Sequence, residues 1–167
     1  MDTLKSLVAK HKFYRNQIRF NADGGPTWVD RRGQKWLRRG PCSNTLQQGE
    51  VLEHVQTIYP SANRVCLNRK RASSPPMVPH RDKGNCSQSA ICFWGDYETG
   101  GELCLEDGTV FSDKDTWHAF DGANTTHWVN PHDKGFRYSV VAFARPAKKK
   151  ETSGNRKETI TIGNRYR

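Results

Sequence analysis

Residues 80–139 read HRDKGNCSQSAICFWGDYETGGELCLEDGTVFSDKDTWHAFDGANTTHWVNPHDKGFRYS, and this stretch decides the fold. Short apolar and β-branched runs recur through it: Ser89–Trp94, Gly101–Leu105, Thr109–Phe111, Trp117–Phe120, His127–Val129, then Phe136 onward to Ala144. Asp107-Gly108 and Asp121-Gly122 supply tight turns between them. Many short strands punctuated in this way predict a mainly β chain, a sandwich or barrel. Tyr138–Phe143 has the β-branched and aromatic content of a central strand. Upstream, Arg64–Asn68 reads as a buried strand, and a polar loop from Arg69 to Pro79 leads to His80.

The ends of the stretch carry residues with chemistry. His80 and Asp82 lie two apart on an extended segment, so both side chains project to one side and can bind one ion together. A third ligand must come from another strand, and His118, His127 and His132 compete for the role. His132 falls in the turn Asn130–Gly135 and is expected to be exposed, whereas His118, beside Trp117, suits a core or a pocket wall. His127 opens a strand and is followed ten residues later by Arg137, which makes it the preferred ligand. Two histidines and one carboxylate on one face form a facial triad that suits Fe(II) and leaves positions open for substrate and O2. A lone His-x-Asp arises often by chance. The specificity here comes from four coincident features: His80-x-Asp82, Gly100-Gly101, a strand-borne His127, and Arg137-x-Ser139.

Beyond this stretch, composition sets limits. At 167 residues, 34% hydrophobic and a mean hydropathy of -0.87, the chain has room for one compact core. Residues 1–145 are expected to form one domain: 1–63 supply basic helix and hairpin elements, 64–145 the β core, and 146–167 a basic, flexible tail. Five cysteines without a Cys-x-x-Cys pair predict free thiols in a reducing interior rather than disulfides or a cysteine-held zinc. No run approaches a membrane span, and MDTLKSLVAKHK lacks the apolar segment of a signal peptide. The expectation is therefore an intracellular monomer without a membrane partner, nuclear if the source is eukaryotic.

The net charge of +10 is unevenly distributed. Residues 1–79 carry 14 basic and 5 acidic side chains, residues 80–145 carry 6 and 10, and residues 146–167 carry 7 and 2. Basic flanks around a mildly acidic centre are the footprint of a phosphate-backbone partner, with a solvated basic surface as the plain alternative. Residues 13–41 interleave Phe13, Tyr14, Arg15, Arg19, Phe20, Trp28, Arg31, Arg32, Trp36, Arg38 and Arg39, a mixture able to pair with phosphates and stack on bases. Within it, Asp23–Pro26 reads as a turn, and Trp28–Asp30 with Gln34–Leu37 reads as a hairpin around Arg31-Arg32-Gly33. Residues 2–12 predict a short helix. A second helix is expected from a cap at Ser43 or Asn44, with Leu46, Val51, Leu52, Val55 and Ile58 as its apolar stripe, to the stop at Pro60.

With these motifs assembled, the chain resembles the 2-oxoglutarate/Fe(II)-dependent dioxygenases, whose signature is His-x-Asp, a distal His, and Arg or Lys about ten residues on. HRDKGN, GDYETGGEL, FDGANTTHWV and GFRYSVVAF are most similar to the TET/JBP group, which oxidises 5-methylpyrimidines in nucleic acid. The resemblance covers about residues 64–145. It implies a double-stranded β-helix core of the jelly-roll or cupin kind, with Fe(II), 2-oxoglutarate and O2 as cofactors and ascorbate as a stimulant. Carried over by position, His80, Asp82 and His127 bind the metal. Arg137 grips the distal carboxylate of 2-oxoglutarate, Ser139 adds a hydroxyl, and Asn68 is a further contact, with Arg69 and Arg71 as additional candidates. Asn85 falls near the target base; Trp94, Tyr97 and Trp117 are available to stack on a flipped base, and His118 to line its pocket. The implied reaction is oxidative decarboxylation to succinate and CO2 coupled to hydroxylation of the 5-methyl group of 5-methylcytosine or thymine in DNA. Competing readings keep the cofactors but take N-alkylated nucleic acid or a protein side chain, or replace catalysis with a silent nucleic-acid-binding barrel.

Overall fold

The structure, a computed structural model, describes residues 1–13, 27–29, 35–37, 42–74 and 76–147. The readings of Tyr14, Arg15, Arg19, Phe20, the Asp23–Pro26 turn, Arg31, Arg32, Arg38, Arg39 and the tail after residue 147 lie outside the described residues.

Two sheets form the body. The larger has five antiparallel strands in the order β3 (Cys42–Leu46), β4 (Arg64–Arg71), β10 (Phe136–Phe143), β5 (Ser89–Gly95) and β8 (Trp117–Phe120). The smaller has three, β7 (Val110–Phe111), β6 (Leu103–Leu105) and β9 (His127–Val129). Between the two lies a core of Ile91, Phe93, Leu103, Leu105, Phe120 and Val129, with Phe111 and Val141 packed against it. This is the mainly β architecture that the spacing of the strands predicts, in the jelly-roll form that the resemblance implies. A separate pair, β1 (Thr27–Val29) with β2 (Lys35–Leu37), is antiparallel in the register Trp28↔Trp36, which is the predicted hairpin.

The outer face of the large sheet is covered by helices. Val65, Leu67, Ala90, Val140 and Ala142 pack against Leu4 and Val8 of α1 (Asp2–Lys10) and against Val51, Leu52 and Val55 of α2 (Glu50–Gln56). A nine-residue helix is too short to hold itself in water. Leu4 and Val8, 1% and 2% exposed, supply the missing stability at roughly 1.5–3 kcal/mol each. Sheet and helices thus make β10 buried on both faces, which explains its near-continuous apolar sequence.

The second helix is shorter than its apolar stripe suggests. Ser43 and Asn44 do not cap it; they sit in β3, paired with Asn68 and Leu67 of β4. Leu46 packs on the helix-side core as a strand residue. The break is Gly49, whose φ of +101° is open to glycine at little cost and places it as the residue before the helix.

Strand parity sorts every side chain. On β10, Arg137, Ser139 and Val141 face inward between the sheets, while Tyr138, Val140 and Ala142 face the helices. The registers Arg137↔Lys70 and Ser139↔Asn68 give Lys70 and Asn68 the same inward direction. Arg69 and Arg71 therefore point outward, where their guanidinium groups lie over the rings of Phe13 and Phe136.

Candidate metal centre and the cationic pocket beside it

His80, Asp82 and His127 converge, and their ligand atoms lie within 4.8 Å of one another. Among the described residues this is the one cluster of histidine, cysteine and carboxylate groups able to hold a metal. His80 Nε2 is 3.7 Å from one Asp82 oxygen and His127 Nε2 is 3.5 Å from the other.

The backbone builds this geometry. The His80 N–H donates to the His127 carbonyl at 3.0 Å and the His127 N–H returns the bond to His80 at 2.9 Å. The Asp82 N–H donates to the Gly122 carbonyl at 2.7 Å, fixing the carboxylate against the turn before β9. Each imidazole is then oriented by its other nitrogen. His80 Nδ1 lies 2.9 Å from the Val78 carbonyl and His127 Nδ1 lies 2.9 Å from the Thr125 carbonyl. A carbonyl can only accept, so both Nδ1 atoms carry the proton and both Nε2 lone pairs are free for a metal.

The three side chains differ in exposure: His127 is 5% exposed, Asp82 34% and His80 41%. Burial alone would raise the Asp82 carboxyl, but contact with His127 and the charges of His127, His80 and Arg145 outweigh it and hold it below its ordinary value. Burial pushes His127 down, yet Asp82 and the Thr125 carbonyl prevail and raise it. With a cation bound, all three present lone pairs to it.

Arg137 is 4% exposed, and its Nε donates to the Gly101 carbonyl at 2.8 Å while its guanidinium lies over the Phe93 ring at 4.6 Å. Gly101 can deliver that carbonyl only because it has φ +77° and no side chain, since a Cβ there would fall 2.8 Å from the Tyr97 ring. The neighbouring Gly100, at φ +79°, abuts the Pro131 carbonyl. Burial lowers Arg137 to about 10, partly offset by Tyr97 and Glu102 nearby. The Arg137 Nη2, the Lys70 Nζ, the Tyr97 hydroxyl and the His132 Nδ1 are all buried without a hydrogen-bond partner among the described residues. Buried polar groups are ordinarily paired, so the orphaned donors of Arg137 and Lys70 together fit a bound anion such as a carboxylate. Asn68 Nδ2 donates to Ser139 Oγ at 3.2 Å on the same inward face.

The remaining candidates divide. Asn85 is bonded to Ser89 Oγ and to Arg145 Nε, and it lines a cavity of about 720 Å³ with Arg81, Lys83, Cys86, Asp121 and Asn124. Arg81 and Lys83 flank Asp82 in the chain and the Asn85 N–H donates to the Asp82 carbonyl at 2.9 Å, so this cavity opens beside the triad. Tyr97 is buried, but beside Arg137 and His132 rather than at this opening. His118 is wedged between Phe93 and Phe111, with Nε2 2.8 Å from the Asp113 carbonyl. Trp94 and Trp117 face the helices: Trp94 stacks on Tyr138 and Trp117 packs edge-on against Tyr59. They lie across the sheet from the triad.

His132 is the clearest departure from the sequence reading. Expected to be exposed, it is 5% accessible because Gly100 and His132 form a β-bridge and the Asp133 carboxylate ties the loop to the N–H groups of Glu98 and Thr99. Lys70 is the residue that sequence reasoning passed over. Its signal was the i+2 spacing from Asn68 along one strand.

No protein-family model matches the chain, and no curated protein matches it in sequence. Solved structures do. The viral collagen prolyl hydroxylase vCPH from Paramecium Bursaria Chlorella virus-1, in its 2OG complex, is 17% identical with a TM-score of 0.53, over 66% of this chain and 82% of that one. A 2OG-Fe(II) oxygenase family oxidoreductase from Burkholderia pseudomallei is 14% identical with a TM-score of 0.53, over 85% and 76%. NgTET1 in complex with 5mC DNA is 24% identical with a TM-score of 0.47, over 50% of this chain and 34% of that one, so the chain spans about a third of that protein's length. At these identities the likeness is one of fold: the paired five- and three-stranded sheets are the jelly-roll core seen in the viral and Burkholderia structures.

Proposed function

We propose that the chain is an Fe(II)- and 2-oxoglutarate-dependent dioxygenase that hydroxylates the 5-methyl group of a methylpyrimidine in DNA. One observation carries the enzymatic part: a two-histidine, one-carboxylate triad and a buried pair of cations with unpartnered donors, Arg137 Nη2 and Lys70 Nζ, occur in one small barrel. A silent barrel has no use for both. The donor set suits Fe(II), with sites left open on one face, and Arg137 suits the distal carboxylate of a dicarboxylic cosubstrate. When bound, iron and cosubstrate supply the oxidising chemistry. The chain's part is to hold the metal through His80, Asp82 and His127, to anchor the cosubstrate through Arg137, Ser139 and Asn68, and to shield the reacting centre with the Phe93 and Phe120 side of the barrel.

The substrate assignment is supported by charge. Lys83 and Arg145 are exposed around the cavity beside the triad, and residues 1–79 and 146–167 are strongly basic. Asn85 lines that opening, its amide held between Ser89 Oγ and Arg145 Nε. The dioxygenase domain is assigned to residues 1–145, with its β core at 64–145 and the basic flanks holding the polyanion. Incubation with Fe(II), ascorbate and 2-oxoglutarate on 5-methylcytosine DNA and on thymine-containing DNA, followed by nucleoside mass spectrometry, tests the assignment. A 5-hydroxymethyl product supports it; its absence while a peptide or N-alkylated base is turned over overturns it.

A further inference from the structure

Arg137 does not stand alone in its pocket. Lys70 is its direct cross-strand partner, 6% exposed, and the Lys70 ammonium has no hydrogen-bond partner among the described residues. Two buried like charges on adjacent strands repel each other, and an unpaired buried ammonium is costly. No carboxylate among the described residues pairs with either. Burial, and after it the Arg137 charge, push Lys70 down to about 8, and His132 is lowered by burial and by both cations. A lysine in that position costs stability and returns none to the empty fold.

The guanidinium is held on one side. Its Nε–H, one of five N–H donors, is taken by the Gly101 carbonyl, and Nη2 is left without a partner among the described residues. A carboxylate presents two oxygens and about four lone-pair sites. Arg137 Nη2 can satisfy part of that demand, and Lys70 Nζ, on the paired position of the adjacent strand and equally without a partner among the described residues, can satisfy more of it.

We infer that Lys70 is a second anchor, beside Arg137, for the distal carboxylate of the cosubstrate, making the pocket selective for a 2-oxo dicarboxylate over a 2-oxo monocarboxylate. This rests on the dioxygenase reading above and assigns a specificity role within it. Arg69 and Arg71, the more obvious cations of β4, are excluded because they face the helices.

The test is calorimetric titration of the Mn(II)-loaded protein with 2-oxoglutarate and with pyruvate, which lacks the distal carboxylate, without turnover. It uses wild type, Lys70→Met and Lys70→Arg, together with the melting temperature of each metal-free protein. Lys70→Met is expected to weaken 2-oxoglutarate on the order of 10- to 100-fold, the usual reach of a charge-assisted hydrogen bond, while leaving pyruvate unchanged. Lys70→Arg is expected to retain most of the affinity. The empty Lys70→Met protein is expected to melt higher than wild type, because an unpaired buried charge has gone. Equal losses for both ligands, unchanged 2-oxoglutarate affinity, or a lower melting temperature would each overturn the role. Wild type that binds neither ligand would instead remove the dioxygenase reading, and this inference with it.

Discussion

His80 and His127 exchange two backbone hydrogen bonds, each N–H to the other's carbonyl, at 3.0 and 2.9 Å. Their rings stand 4.5 Å apart, centre to centre. The two imidazoles are thus placed by main chain, before any metal arrives. Asp82→Ala should accordingly leave the fold and the histidine pair intact while lowering Fe(II) or Mn(II) affinity by at least about 100-fold, more than the roughly 10–100-fold that supporting groups alone command. Metal titration alongside circular dichroism checks this; an unfolded variant would show that the carboxylate, rather than the backbone pair, organises the site.

Two glycines of similar φ, Gly100 next to the Arg137-bonded Gly101 and Gly108 in the turn between β6 and β7, allow a graded test. Gly100→Ala drives a Cβ to 1.9 Å from the Pro131 carbonyl at φ +79°, whereas Gly108→Ala meets nothing within 4 Å at φ +90°. The first combines a backbone clash with left-handed strain and should cost more than about 3 kcal/mol; the second carries strain alone, about 1–2 kcal/mol. Denaturant melts of both variants give the comparison, and equal costs would contradict the packing around Gly100.

Lys70 gives the metal-free protein a pH signature. Its folded value of about 8 lies below the ordinary 10.5, so between those values the unfolded chain holds the proton and the folded chain does not. Stability should therefore rise with pH from about 8 to 10.5, by on the order of 2–3 kcal/mol from this group. Arg137 and His132 face Lys70, and Arg137, at about 10, titrates with the same sign. The measurement is consequently a difference: unfolding free energy of wild type against Lys70→Met at pH 7.5 and pH 10. The gap should close at the higher pH, and a gap independent of pH would contradict the buried ammonium.

Charge around the cavity beside the triad should govern nucleic-acid affinity without reading sequence. Lys83→Glu and Arg145→Glu are each expected to weaken DNA binding uniformly across sequences and to reduce the slope of log affinity against log salt by about 1 per lost phosphate contact. Anisotropy titrations at several salt concentrations measure it; unchanged slopes would place the DNA elsewhere.

Most of the β core could be foreseen because alternation and turn residues are local signals. Ser89–Gly95, Trp117–Phe120 and Phe136–Phe143 are strands close to where the pattern puts them, and the triad residues named from spacing do converge. What failed depended on non-local facts. Leu46 joined a helical stripe on paper because its period fits, yet β4 recruits residues 42–46 as an edge strand and Gly49 turns the chain. Arg69 and Arg71 outranked Lys70 as anion ligands until the Arg137↔Lys70 register set the parity. The same parity sends Trp94 to the helix side, and a bridge to Gly100 buries His132 in a segment that reads as an open turn.

His80, Asp82 and His127 would hold the metal on which a 2-oxo acid and O2 react. Succinate formation by Fe(II)-loaded wild type and Asp82→Ala protein, with 2-oxoglutarate under air, measures this most directly. Iron-dependent succinate is expected from wild type and none from Asp82→Ala. Succinate at equal rates from both proteins, or none from a wild type that has bound iron and 2-oxoglutarate, would contradict it.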